Sequence, residues 1–200
     1  MFFKAAVFKK LIKEAYAGIG LTIGRAEEYI FISGGYWLIW MNKDWIPNKL
    51  KASIIELTGE LPINNQVFKA RKGEKNDYST DWKEAYNINF YKRSMDQEYA
   101  VTKVILEQNL TPCRLLQNEE TQEIILLNQV LIDLVDKEAI ESREECQPFG
   151  PIGLKDKKDA VLWYNDTGAL VAWRRTPEAE TRQQMLIEAL EKIEVESWVG

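Results

Sequence analysis

Val7, Phe8, Leu11, Ile12, Ala15 and Tyr16 recur at helical intervals, and Gly18 follows them. That spacing predicts an amphipathic helix over roughly 3–17, stopped by the glycine. The period then shortens. "LTIGRAEEYIFISGGYWLIWM" reads as strands, weakly over 21–25 and strongly over 28–33 and 36–41. The strong pair is rich in aromatic and β-branched residues, with Gly34-Gly35 as a hairpin signal between them. In "IPNKLKASIIELTG" the helical period returns: Ile46, Leu50, Ile54 and Leu57 form one stripe, and Lys49 and Lys51 point elsewhere. Pro47 suits the first turn of this second helix and Gly59 the position just past its end.

Residues 62–98 are polar and irregular. They predict a short strand near Val67–Ala70, another near Asn87–Lys92, and a mobile loop between them. "EYAVTKVILEQN" and "EIILL" read as strands, and "TPCRLLQNEETQ" holds a third strand with its turn. Asn128 caps a helix whose apolar face is Val130, Leu131, Leu134 and Val135. "KEAIESREEC" either extends that helix or starts a new one, and "QPFGPIG" breaks it.

"VLWY" and "ALVAW" flank Asn165-Asp166-Thr167-Gly168, which predicts a hairpin with a four-residue loop and a freely positive φ at Gly168. Arg174-Arg175 mark its exit. Thr176 then caps a last helix, with Pro177 in its first turn and Glu178 and Glu180 near its positive end. Its expected stripe is Met185, Leu186, Ala189, Leu190 and Ile193, and it ends near Val195.

These elements describe an α+β fold: an antiparallel sheet with packed helices and a C-terminal amphipathic helix. One domain over 1–200 suits the length. Two similar subdomains, about 1–95 and 96–200, are the alternative, because the order of helices and strands loosely recurs without a sequence repeat.

Composition changes the picture mainly by exclusion. At 46% hydrophobic and 28% charged, the chain is that of an ordinary globular domain. A net charge of −5 argues against a wholesale nucleic-acid coat, although not against a local basic face. The longest clean apolar run is "YWLIWM", against the ~20 residues a membrane span needs. Lysines interrupt the apolar N-terminus, so it lacks the h-region of a secretory signal. No membrane role and a cytoplasmic location are therefore expected. Cys113 and Cys146 are far from any CxxC; two reduced, buried thiols are favoured over a disulfide.

The chain has no histidine, which removes Ser-His-Asp and Cys-His catalysis and every His-ligated metal site. No Walker A, GxGxxG or GxSxG occurs. "GIGLTIGR" is glycine-rich, but it leads from a helix into a strand, the reverse of a phosphate loop, and no GK[ST] follows. Asp133 and Asp136 share a predicted helix face, where they would hold Mg²⁺, act as acid and base, or simply face solvent. "ESREE" and the acidic last helix read as solvated surface. Cys146 has no activating motif beside it. No catalytic residue, metal site or cofactor is expected.

Two features remain. Lys4, Lys9, Lys10 and Lys13 on the first helix, with Lys49 and Lys51 on the second, place cations on two helices adjacent in the chain. Lys9, Lys10, Lys13, Lys49 and Lys51 are thus candidate phosphate or DNA contacts, set against an ordinary lysine-rich soluble face. Trp37, Trp40, Trp163 and Trp173 are candidate partner-binding aromatics, set against plain core packing. On one strand, Trp37 and Trp40 face opposite sides.

"EIILLNQVLIDLVDKE" resembles the strand-to-helix passage of DNA sliding clamps. "FGPIGLK" followed by "GALVAWRR" resembles the last two strands of a clamp domain. The N-terminal order of cationic helix, antiparallel strands and lysine-bearing helix is similar too. The resemblance covers about a quarter of the chain; the last helix and the 62–98 stretch lie outside the family's pattern. It implies a DNA-clamp-like fold, with several copies in a ring, Lys9, Lys10, Lys13, Lys49 and Lys51 facing DNA phosphates, and a surface pocket for partner peptides. The residues themselves point first to a non-catalytic binding or scaffolding protein, with a protein partner or self-association. A clamp-like DNA accessory protein is the first alternative and a carboxylate-dependent metal enzyme the second.

Overall fold

The computed structural model describes residues 2–136, 149–157, 159–176 and 182–198. The predicted segments at 137–146, including the ESREE run and Cys146, and the start of the last helix at Pro177–Glu180 lie outside them.

Helix α1 (Ala5–Ala17) turns Phe8, Leu11, Ile12 and Ala15 inward, and the Gly18 N–H closes it on the Glu14 and Ala15 carbonyls. Strands β1 (Leu21–Arg25), β2 (Tyr29–Ser33) and β3 (Trp37–Asn42) form a meander. Gly35 takes φ +88° in the β2–β3 turn, and a Cβ on Gly34 would lie 2.2 Å from the Trp37 ring. Both glycines are therefore required by the hairpin, one by its backbone and the other by the ring above it. Helix α2 (Asn48–Thr58) follows Pro47 and ends at left-handed Gly59. Strand β4 (Val67–Ala70) then returns to pair with β1.

The second half repeats this plan. Strands β5 (Met95–Gln108), β6 (Thr111–Asn118) and β7 (Ile124–Asn128) form a meander, and helix α4 (Gln129–Leu134) follows. Strand β8 (Phe149–Leu154) then returns to pair with β5. The short helix α3 (Ile88–Lys92) lies between the halves. Strands β9 (Ala160–Tyr164) and β10 (Gly168–Trp173) add the last hairpin, and β10 pairs with β3. One antiparallel sheet thus runs through both halves in the order β4-β1-β2-β3-β10-β9-β8-β5-β6-β7. Helix α5 (Arg182–Leu190) comes last. The α+β architecture read from the sequence, with an antiparallel sheet and a C-terminal helix, is what the chain adopts. Among the described residues, no helix is long and apolar enough to cross a membrane.

Both faces of the sheet are covered. Helices α1, α2 and α4 pack on one face over Ile23, Ile32, Trp37, Ile39, Leu127, Trp163 and Leu170. The opposite face carries Phe31, Trp40, Leu162 and Val171, under Tyr86, Ile88 and Tyr91 from the segment around α3. Burial on both faces explains why β3, β9 and β10 read as continuous apolar runs and not as alternating ones. Each fully buried Leu, Ile or Phe contributes about 1.5–3 kcal/mol.

The sheet curls. The backbone N–H of Arg175, just past β10, donates to Leu126 O of β7 at 2.8 Å, so the strip from β10 to β7 meets its own far end. The long β5 is also completed from elsewhere. Where its register shifts between Val101 and Ile105, the C-terminal tail supplies the partners: Trp198 N donates to Val101 O and Lys103 N to Glu196 O.

Four sequence expectations change. Residues 88–92 are helical, because the Asn87 side chain accepts from Asn89 N and caps a turn there. The "QPFGPIG" breaker contains the start of β8, whose Gly150-Pro151 bond is cis. Gly168 has no positive φ; it opens β10 beneath Phe2 and Phe3, where a Cβ would come within 3.1 Å of the Phe3 ring. In α5, Ile187 is the buried residue, with Leu190 packed beside it, whereas Met185, Leu186 and Ile193 are exposed.

Candidate functional site

The lysines of α1 and α2 share the helical face of the sheet, and the two helices pack together. Lys9, Lys10, Lys13 and Lys49 are exposed and Lys51 half-buried. Part of their charge is already met. Lys9 Nζ lies 2.6 Å from Glu56 Oε2, which ties α1 to α2 and holds the Glu56 carboxyl below its ordinary pKa. Lys10 lies 3.9 Å from Glu14. Asp133 accepts from Gln129, whose Oε1 accepts in turn from Arg114 Nε, so this carboxylate anchors a buried arginine network. The backbone N–H of Asp136 donates to Phe2 O.

The four tryptophans separate. Trp37 and Trp163 lie in the core under α1 and α2 and have almost no accessible surface for a partner. Trp40 faces the other side, as the strand period requires, and is also buried. Its Nε1 donates to Tyr86 O at 2.7 Å, which fastens the segment before α3 to the sheet. Trp173 is half-buried and borders a cleft described below.

Two concave sites stand out. The first, about 350 Å³, opens between residues 26–31 and 82–89. Tyr86 stacks on Phe31 with ring centroids 4.4 Å apart, and Trp82 meets Phe31 edge-on at 5.4 Å. Trp82 stays 41% exposed, so its ring is offered to solvent and not consumed by the core. Burial raises the Tyr86 hydroxyl above its ordinary pKa, so it stays a neutral donor. Glu27 and Glu28 line the same cleft, with Lys43 Nζ 3.7 Å from Glu28. The site is aromatic with carboxylates at its edge, a combination that suits a cation.

The second, about 410 Å³, lies where the curled sheet meets itself. Tyr36, Trp173, Arg174 and Arg175 line it from one side, and Gln108, Asn109 and Asn128 from the ends of β5 and β7. Among the described residues, no carboxylate lines it. Arg175 also lies against the Cys113 thiol; burial nevertheless raises that thiol's pKa, and Cys113 is a free, buried cysteine. Such a thiol is a poor nucleophile at neutral pH.

Neither cleft was visible as a unit in the sequence. Trp82 and Tyr86 fall in the stretch that reads as irregular loop, and Tyr36 and Asn109 sit in turns. Only the adjacent Arg174 and Arg175 gave a signal. No family model, curated protein or solved structure matches the chain.

Proposed function

We propose that the chain is a non-catalytic binding protein that receives a basic peptide segment of a protein partner in the Trp82–Tyr86 cleft. The observation that carries this reading is the Phe31–Tyr86 stack with the exposed Trp82 ring beside Glu27 and Glu28. A guanidinium or ammonium group set against these rings gains cation–π attraction of about 0.5–2 kcal/mol, and the carboxylates fix its direction. Trp and Tyr at the centre of a cleft are also the residues that most often anchor an interface.

The experiment is calorimetric titration with hexa-arginine, hexalysine and hexaglutamate. Binding of the basic peptides, weakened about tenfold or more in Trp82→Ala and in the Glu27→Gln, Glu28→Gln double variant, supports the reading. No binding of either basic peptide, or binding unaffected by both variants, removes it.

A second reading, a DNA-associated clamp-like accessory protein, has one observation in its favour: α1 and α2 lie side by side and carry Lys9, Lys10, Lys13, Lys49 and Lys51. The Lys9–Glu56 pair reduces the charge available to phosphate. This reading expects duplex binding that falls steeply with salt and weakens when Lys13, Lys49 and Lys51 are replaced by Gln. Salt-insensitive or absent binding counts against it.

A further inference from the structure

The cleft at the closure of the sheet differs from the aromatic one in charge and in construction. In a chain of net charge −5, two adjacent arginines line it, and no carboxylate lines it among the described residues. Arg174 lies 3.6 Å from Glu123, a loose contact at the edge of the ion-pair range, and Arg175 has no carboxylate within 4.0 Å among the described residues. Both are held by their backbones. Arg174 N donates to Asp159 O at 2.6 Å and Arg175 N to Leu126 O at 2.8 Å, so their Cα positions are fixed by strand pairing. On the same side, Trp173 N donates to Tyr36 O at 3.0 Å, which ties together the backbones that carry the two rings. A site whose groups are set by sheet pairing loses little entropy on binding.

The donors exceed what a carboxylate can use. Arg174, Arg175, Tyr36, Asn109 and Asn128 all line the same space, and each carries a side-chain donor. A carboxylate offers two oxygens; a phosphate monoester offers three, and guanidinium groups bind them in pairs. Gln108 adds a polar acceptor to the wall. Its Nε2 is engaged with Thr176 O, which fixes the amide orientation, and its buried Oε1, which has no donor among the described residues, suits a hydroxyl of the organic part and not the phosphate. The backbone beside it is strained: Asn109 and Leu110 both have positive φ, and Leu110 pays the side-chain clash of that region while 90% exposed.

We propose that this cleft binds a small organic phosphate of mononucleotide size, with Arg174 and Arg175 clamping the phosphate and the Tyr36 and Trp173 rings flanking the organic part. The volume of about 410 Å³ suits such a ligand and lies within the ordinary range of small-molecule sites. The proposal is independent of the peptide-binding reading, because the two clefts share no lining residue.

The test is titration of the full chain, by calorimetry, with adenosine 5′-monophosphate, adenosine, inorganic phosphate and benzoate. Saturable binding of the monophosphate is expected, with adenosine and benzoate at least tenfold weaker. Arg175→Gln keeps the backbone N–H that closes the sheet and should weaken the monophosphate about tenfold or more. Asn109→Asp, which retains a residue tolerant of positive φ, should weaken it by placing a carboxylate in the cleft. Lys72→Gln, at an exposed position beyond β4, should leave monophosphate binding unchanged. Equal binding of adenosine overturns the phosphate clamp. Equal binding of inorganic phosphate overturns the role of the rings, and equal binding of benzoate overturns the preference for phosphate. Monophosphate binding unchanged in both Arg175→Gln and Asn109→Asp, or absent from the wild type, overturns the site.

Discussion

Arg175, just past β10, and Leu126, in the middle of β7, are joined by one backbone hydrogen bond, 2.8 Å long, although β10 and β7 are five ladders apart along the sheet order. Leu126 is buried, so its carbonyl has no water to fall back on. This contact turns an open strip into a curled one and brings Arg175 near Asn128 and Tyr36.

Arg175→Pro removes that donor and leaves a buried acceptor unpaired. It should lower the unfolding free energy by about 1–3 kcal/mol in urea denaturation. Arg175→Ala, which keeps the N–H, should cost clearly less. Equal losses in the two variants would mean that the side chain, and not the backbone closure, matters there.

The β5–β6 turn holds Leu110 at φ 60° after Asn109 at φ 50°. A two-residue hairpin turn of that kind favours Asn-Gly. Leu110→Gly should therefore stabilise the fold by about 1 kcal/mol, read as a rise in melting temperature. A fall would show that Leu110 makes a contact worth more than the strain it carries.

The C-terminal helix offers a direct contrast. Ile187→Ala should cost about 2–4 kcal/mol, because Ile187 is buried against Cys113, Leu115 and Leu126. Met185→Gln should change stability by less than about 0.5 kcal/mol, since Met185 is 67% exposed. Urea denaturation of both variants tests the rotation of the helix.

That rotation marks where the sequence was readable and where it was not. Helices α1 and α2 and the meander β1–β3 follow from clear periodicity closed by Gly18, Gly34-Gly35 and Gly59, and each local signal agrees with the packing. In α5 the apolar residues surround the axis: Met185, Leu186, Ile187, Ala189, Leu190 and Ile193 allow more than one stripe, and the sheet selects the one centred on Ile187. Residues 87–92 have neither period, so only the Asn87 cap and the sheet surface beneath decide for a helix. The clefts were hidden for a different reason. Tyr36, Gln108, Asn128 and Arg175 are brought together by long-range strand pairing, which leaves no local pattern.

Burial raises Tyr91 and Tyr99 to about 12, against an ordinary tyrosine value of 10.0; for Tyr99 the carboxylate of Glu123 adds to the effect. In the unfolded chain both would ionise near 10. Their contribution to stability is whole below pH 10 and is lost as the pH rises through about 12. Ultraviolet titration should show these two hydroxyls ionising late in the folded protein. Ionisation of all eight tyrosines in a single step near pH 10, with the fold intact, would contradict the burial.

The most direct measurement of the peptide-binding reading is fluorine NMR of the protein labelled with 5-fluorotryptophan, titrated with hexa-arginine. The chain has seven tryptophans, and a Trp82→Phe variant assigns the resonance of interest. The largest shift should fall on Trp82, with a smaller one at Trp40 beneath the cleft and none at Trp37 or Trp163 in the opposite core. A Trp82 resonance that stays fixed to the end of the titration would contradict it.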